Sequence, residues 1–110
     1  MLSSFKVFTP SGIFGGFNSN PPLLQEATAL MNESTKAILI DFSDVTFVDS
    51  MGLGILVRLL SRAQKAGCSL YLCSMSQNAR MIMSLTGIED KFSIYANREE
   101  VEQKVSNFLE

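Results

Sequence analysis

The chain has 110 residues, of which 46% are hydrophobic, and its formal net charge is −2. This length and composition predict one domain whose core needs no metal or disulfide. The small charge, without a basic face, argues against binding to nucleic acid or to a membrane surface, and no apolar run is long enough to span a membrane. The N-terminus lacks the charged leader and long apolar core of a signal peptide, which favours a cytoplasmic protein.

Strands and helices are predicted to alternate along the chain, joined by short connections. The apolar run 37–42 is typical of a strand covered on both faces, and Asn20 followed by Pro21 is typical of a helix start. Strands are predicted at 5–9, continued at 13–14, and at 37–42, 69–73 and 92–95; helices are predicted at 21–32, 51–66, 77–85 and 98–109. This order predicts an α/β fold with a mixed, mostly parallel sheet of four to five strands and about four helices.

Several helix ends carry residues with capping preferences. Gly67 is predicted to end the second helix in left-handed geometry. Ser76 is the predicted N-cap of the third helix, and Asn97 with Glu100 three residues later resembles a capping box at the start of the fourth.

The residue types present limit the chemistry of the chain. It contains no histidine, which excludes a Ser-His-Asp arrangement and any imidazole base or ligand. Cys68 and Cys73 would lie on opposite faces of one strand, about 16 Å apart, so we expect buried free thiols. Asp41, Asp44 and Asp49 suggest a carboxylate cluster, but aspartates in such loops more often cap helices or form turns. We therefore predict no metal, no cofactor and no catalytic residue.

The most informative segment joins the strand 37–42 to the helix 51–66 and centres on Ser50. Ser50 is favoured as the N-cap of that helix, a role worth roughly 1 kcal/mol. A phosphate on Ser50 would meet the positive end of the helix dipole and would add about −1.5 to −2 charge beside Asp49. The two roles are compatible, because a cap residue is exposed enough to be modified.

The same segment closely resembles the signature of the STAS domain family, the domain of bacterial anti-sigma factor antagonists. It reads Val45-Thr46-Phe47-Val48-Asp49-Ser50-Met51-Gly52-Leu53-Gly54. The family pattern is an aliphatic or aromatic pair, Asp-Ser, a variable residue and Gly-Leu-Gly. Residues 67–74 and 76–87 resemble the next strand and helix of the family. The similarity covers residues 5–109, and we expect a single STAS domain over residues 1–110.

The resemblance implies an anti-sigma factor antagonist that acts by partner switching. The unphosphorylated form would bind an anti-sigma factor that is also a serine kinase of the ATP-binding histidine-kinase-like fold, and would thereby release a sigma factor. Phosphorylation of Ser50 by that kinase would abolish binding, and a PP2C-type phosphatase would restore it. The chain would then be the substrate of a kinase and not an enzyme.

The docking surface is predicted at the loop 44–50, the first turn of the following helix and the start of the third helix. Met51 and Met75 are candidates for apolar contacts, because methionine adapts to partner surfaces. The predicted partner-binding residues are Asp44, Asp49, Ser50, Met51, Gly52, Leu53 and Ser76.

Two other interpretations stay open, and the oligomeric state is not predicted. The family usually carries an acidic residue after a Gly-x-Leu/Phe element, whereas here Gly15 follows residues 12–14. A non-switching STAS interaction module, or a scaffold subunit of a signalling complex, is therefore the second interpretation, with Ser50 purely a cap. A small-ligand sensor has the least support, because no polar groups visibly converge on an apolar pocket.

Overall fold

The computed structural model of the protein describes residues 5–15, 21–32 and 34–109. The strands are β1 (Phe5–Phe8), β2 (Ser11–Phe14), β3 (Ala37–Asp41), β4 (Asp44–Val48), β5 (Ser69–Cys73) and β6 (Ser93–Tyr95). The helices are α1 (Pro21–Leu30), α2 (Ser50–Ala66), α3 (Gln77–Leu85) and α4 (Arg98–Leu109), with a 3-10 turn at Glu89–Lys91. The predicted cap at Asn20 lies outside the described residues. Within the described ranges, every helix is too short or too polar to cross a membrane.

Four strands form one parallel sheet, in the order β1-β3-β5-β6, and β2 pairs with β4 in a separate two-stranded parallel ribbon. The prediction of an α/β fold with four helices and mostly parallel pairing is confirmed, whereas the division of the strands into two sheets was not foreseen. All five residues of β3 are buried, as expected for a central parallel strand with helices on both faces.

The ribbon exists because the same two chain segments contribute to both sheets. β1 continues into β2 past Pro10, which cannot donate a hydrogen bond to a sheet. β3 continues into β4 past a tight turn, where the Asp41 carboxylate accepts a hydrogen bond from the Ser43 N–H at 3.0 Å. The prediction that residues 44–50 form a loop is therefore wrong for 44–48, where β-branched and aromatic residues build β4.

Helices cover both faces of the four-stranded sheet. Side chains of α1, α2 and α3 pack in one core cluster, in which Leu56 and Leu59 have no exposed surface. Val101 and Val105 of α4 pack in a second cluster on the opposite face. Cys68 belongs to the first cluster and Cys73 to the second, which confirms that they are free, buried and on opposite faces.

The predicted helix caps are confirmed at three places. Gly67 ends α2 with φ 70, in the left-handed region. The Ser76 hydroxyl accepts a hydrogen bond from an N–H in the first turn of α3 at 3.1 Å. The Asn97 side chain accepts from the Glu100 N–H at 2.9 Å, while the Glu100 carboxylate accepts from the Ala96 N–H at 3.0 Å. The capping box of α4 is thus displaced by one residue from its usual form.

Candidate functional site

The segment that carries the family signature lies where β2 and β4 end and α2 begins. The Asp49 N–H donates a hydrogen bond to the Phe14 carbonyl oxygen at 3.3 Å, which ties the ends of the two ribbon strands together. Phe14 is fully buried, and its ring meets the Phe42 ring edge-on with centroids 5.1 Å apart. The start of α2 is therefore held in place by the hydrophobic core.

The N-cap of α2 is Asp49, so the prediction that Ser50 caps this helix is wrong. Asp49 has an extended backbone (φ −101, ψ −176), and its carboxylate accepts a hydrogen bond from the Gly52 N–H at 2.9 Å. Its carbonyl oxygen accepts from the Leu53 N–H at 3.0 Å, the first bond of the helix. Ser50 is the first helical residue and is exposed. Because Asp49 satisfies the helix end, the Ser50 hydroxyl is not needed for capping.

Two glycines allow the end of β2 to pass directly over the cap. A Cβ atom on Gly52 would collide with the carbonyl oxygen and ring of Phe14. Gly15 is buried with φ 115, and a Cβ there would collide with the Asp49 carboxylate and the Gly52 nitrogen. The acidic residue that the family usually carries at this point has no room here. Asp49 itself supplies the carboxylate beside Ser50.

The structure separates the seven predicted partner-binding residues into accessible and buried ones. Gly52 and Leu53 are buried, and the Leu53 side chain packs in the core. Asp44 is exposed at the start of β4, roughly 16 Å from Asp49 at the rise of a strand, so these two carboxylates are not brought together. The Ser76 hydroxyl is engaged in the cap of α3. Asp44, Ser50, Met51 and Ser76 are exposed and Asp49 is half-buried.

Two exposed apolar side chains on the ribbon were not among the predicted contact residues. Ile13 is 45% exposed and Phe47 is 52% exposed, and these residues are direct partners in the β2–β4 pairing. Thr46 is an extra residue in β4, because the pairing skips it between the partners of Gly12 and Ile13. Such a β-bulge re-aims the side chains beyond it, and here Phe47 faces solvent while Val48 is buried.

The chain segment around Ser50 is acidic. Between residues 41 and 57 the charged residues are Asp41, Asp44 and Asp49, and Asp41 is buried. No group of three or more histidine, cysteine, aspartate or glutamate side chains suited to a metal occurs in the described part of the chain. The site thus presents an exposed hydroxyl, a half-buried carboxylate and exposed apolar side chains.

A shallow groove lies elsewhere on the molecule, along α2. It is lined by Val57, Leu60, Ser61, Gln64 and Lys91. None of the predicted site residues contributes to it, so the groove gives the small-ligand interpretation no link to the signature segment.

Comparisons with known proteins agree with this fold and this signature. The anti-sigma-B factor antagonist of Bacillus subtilis is 32% identical over 78 residues, which span 71% of this chain and 72% of that protein. The crystal structure of an anti-sigma factor antagonist from Mycobacterium paratuberculosis is 27% identical, with a TM-score of 0.76, and the match covers 91% of this chain and 84% of that one. The anti-sigma factor antagonist SpoIIAA in its unphosphorylated form shares the fold, with a TM-score of 0.79 at 16% identity and coverage of 97% and 93%.

The family comparison covers most of the chain. The model of the STAS domain matches residues 16–101, a range that contains α1 to β6, the ribbon strand β4 and the whole signature segment. The chain belongs to the STAS domain family.

Proposed function

We propose that this chain is an anti-sigma factor antagonist that acts by partner switching. Its unphosphorylated form binds an anti-sigma factor that is also a serine kinase of the histidine-kinase-like ATP-binding fold, and this binding releases a sigma factor. Phosphorylation of Ser50 ends the binding, and a PP2C-type phosphatase restores it. The protein acts in the cytoplasm as a single STAS domain, by binding and not by catalysis.

The names of its relatives support the first part of this proposal. The Bacillus subtilis relative is called an antagonist of the anti-sigma-B factor, and the structure from Mycobacterium paratuberculosis is called an anti-sigma factor antagonist. An antagonist of this kind needs an accessible surface for one protein partner. The residues around Ser50 offer such a surface.

The main observation in support of the switch is that Ser50 is exposed and does not cap α2. Asp49 accepts the Gly52 N–H, so a kinase can modify the Ser50 hydroxyl without removing a bond that holds α2. The site is therefore able to change its charge while the fold stays intact.

The electrostatics of the site explain why phosphorylation would end binding. A phosphate on Ser50 adds about −1.5 to −2 charge beside Asp49, in a segment that contains no lysine or arginine between residues 41 and 57. A partner packed over the start of α2 would bury this charge without a counter-ion from this chain. Burying an unpaired ion costs several kcal/mol. The same surface would thus accept the partner before modification and reject it afterwards.

The test uses the kinase-fold anti-sigma factors encoded by the genome that encodes this chain, each purified and mixed with the wild type and ATP. We expect one of them to phosphorylate Ser50, as located by peptide mass spectrometry. Calorimetry should show tight binding of the wild type and of Ser50→Ala, and an affinity at least roughly a hundredfold lower for the phosphorylated protein, in line with burial of an unpaired charge. Ser43→Ala removes another exposed serine at the far end of β4 and serves as the control, which should be phosphorylated and bound normally.

Equal affinity of the modified and unmodified protein would contradict the switch. It would favour the non-switching interaction module, for which Gly15 in place of the family's acidic residue is the motivating feature. Failure of every such anti-sigma factor to bind the wild type would contradict the proposed function as a whole.

A further inference from the structure

The described residues include six large apolar side chains that are exposed, and three of them lie on the ribbon or directly after Ser50. Ile13 and Phe47 lie side by side on the ribbon, and Met51, which is 58% exposed, directly follows Ser50. We call these three residues the ribbon patch. The other three, Val57, Met81 and Leu85, lie on α2 and α3. Isolated exposed apolar residues are ordinary, whereas a contiguous exposed apolar patch on a soluble protein often marks an interaction site.

The ribbon patch lies within reach of an ordinary protein interface centred on Ser50. Phe47 is three residues from Ser50, so their Cα atoms are at most about 11 Å apart. Ile13 lies one strand further, about 5 Å from Phe47. A standard interface buries about 800 Å² on each partner, which corresponds to a disc of about 16 Å radius. An interface of this size centred on Ser50 is therefore wide enough to include Met51, Phe47 and Ile13.

We propose that the ribbon patch supplies the apolar anchors by which the unphosphorylated protein holds the anti-sigma factor. This inference rests on the proposed function and assigns the binding energy to the β2–β4 ribbon, of which the segment 44–48 was among the predicted docking elements and β2 was not. The start of α3, which was predicted, is not needed for it. Phe47 is the principal anchor, because a large aromatic side chain at an interface buries the most apolar area.

The charges around the ribbon patch favour a different protein over a second copy of this chain. Asp44 and Asp49 flank the patch at the two ends of β4, and the segment 41–57 has no cation. A symmetric dimer through the patch would bring the carboxylates of one copy close to those of the other, which is unfavourable. The same carboxylates disfavour nucleic acid and anionic lipid. The occupant that fits is the apolar surface of a protein partner, here the anti-sigma factor.

The experiment measures the Kd of the anti-sigma factor identified above for the wild type, Phe47→Thr and Ile13→Thr. Threonine keeps the β-propensity of each position while removing most of its apolar surface. Met81→Gln and Leu85→Gln, on exposed positions of α3, are the matched controls. We expect Phe47→Thr to raise the Kd by roughly tenfold or more and Ile13→Thr by a smaller factor, with the controls within about twofold. Thermal unfolding of each variant shows whether it is folded.

The outcomes separate this inference from the proposed function. If phosphorylation of Ser50 abolishes binding but Phe47→Thr and Ile13→Thr bind like the wild type, the ribbon patch inference is wrong and the switch stands. If the wild type forms a dimer in sedimentation that Phe47→Thr dissociates, the patch is a self-association surface and the inference is also wrong. If no anti-sigma factor binds the wild type, both proposals fall together.

Discussion

Replacing Asp49 by alanine should destabilise the protein clearly more than replacing Ser50. Asp49→Ala removes the acceptor of the Gly52 N–H, a part-buried hydrogen bond of 2.9 Å. Loss of an N-cap costs about 1 kcal/mol, within a range of about 0.5–2. Loss of a negative charge at the positive end of a helix adds about 0.3–1 kcal/mol. Together these terms predict a decrease of about 2 kcal/mol in the free energy of unfolding.

Ser50→Ala should leave the free energy of unfolding within about 0.5 kcal/mol of the wild type, because Ser50 is an exposed first residue of α2. Ser76→Ala is the matched control, since Ser76 is a serine that does cap a helix, with its hydroxyl 3.1 Å from the Ala79 nitrogen. Ser76→Ala should lower the free energy of unfolding by about 1 kcal/mol. Asp49→Asn keeps an acceptor at the cap and removes the charge, so it should recover most of the loss.

Urea unfolding followed by far-ultraviolet circular dichroism gives these differences directly. At a slope of about 2 kcal/mol per molar urea, the expected loss for Asp49→Ala moves the midpoint by about 1 M. The slope should be unchanged, because the variant exposes the same surface when it unfolds. A loss for Ser50→Ala as large as that for Asp49→Ala would show that the assignment of the cap is incorrect.

Two further changes test the packing around the site and the core. Gly15→Ala should lower the free energy of unfolding by about 2 kcal/mol or more, because φ 115 strains any side chain and the Cβ would collide with Asp49; a urea midpoint equal to that of the wild type would contradict this. Burial raises the pKa of both Cys68 and Cys73 above the ordinary 9.0. The positive charge of Lys36 lowers the pKa of Cys68 by a smaller amount, and a hydrogen bond from Ser74 does the same for Cys73. Folding therefore favours the neutral thiols, and their contribution to stability is complete below about pH 9 and is lost as the pH rises through the raised pKa values. Alkylation by iodoacetamide at neutral pH should be much slower in the folded than in the urea-unfolded protein, and equal rates would show that the thiols are accessible.

The elements that follow from local chemistry were predictable from the sequence. β5 agrees with its predicted range 69–73, because the apolar run between Gly67 and Ser76 has the length of a strand and is too short for a typical helix. Gly67 ends α2 as predicted, because its backbone is left-handed and only glycine adopts that conformation readily. The four helices follow from apolar residues at helical spacing.

The identity of the α2 cap depended on tertiary structure. Aspartate and serine are about equally good N-caps, so the pair Asp49-Ser50 allows either. The choice is made by the hydrogen bond from the Asp49 N–H to Phe14, which holds Asp49 extended at the end of the ribbon. Phe14 and Asp49 are 35 positions apart in the sequence. The residues near Asp49 therefore do not indicate this contact.

The exposure of Phe47 also depended on tertiary structure. Strict alternation from the half-buried Val45 would place Phe47 inside and Val48 outside. The bulge at Thr46 reverses this order, and a one-residue shift in a strand moves every later side chain to the other face. The sequence shows four residues suited to a strand but not which partner strand they meet, so neither the ribbon nor its exposed patch was predictable.

The parallel register has a consequence for how the protein folds. Phe5 pairs with Ala37, and Ala37 pairs with Ser69. The two residues of each pair are 32 positions apart, so each pairing closes a loop of that length. Contacts between such distant residues form slowly, because the entropy of closing the loop is lost before the contact is gained. During synthesis at about 5–20 residues per second, β1 waits for its partner for about 2–6 s. The ribbon also joins distant segments, since Ser11 pairs with Asp44, so the surface around Ser50 forms only after a pairing of this kind.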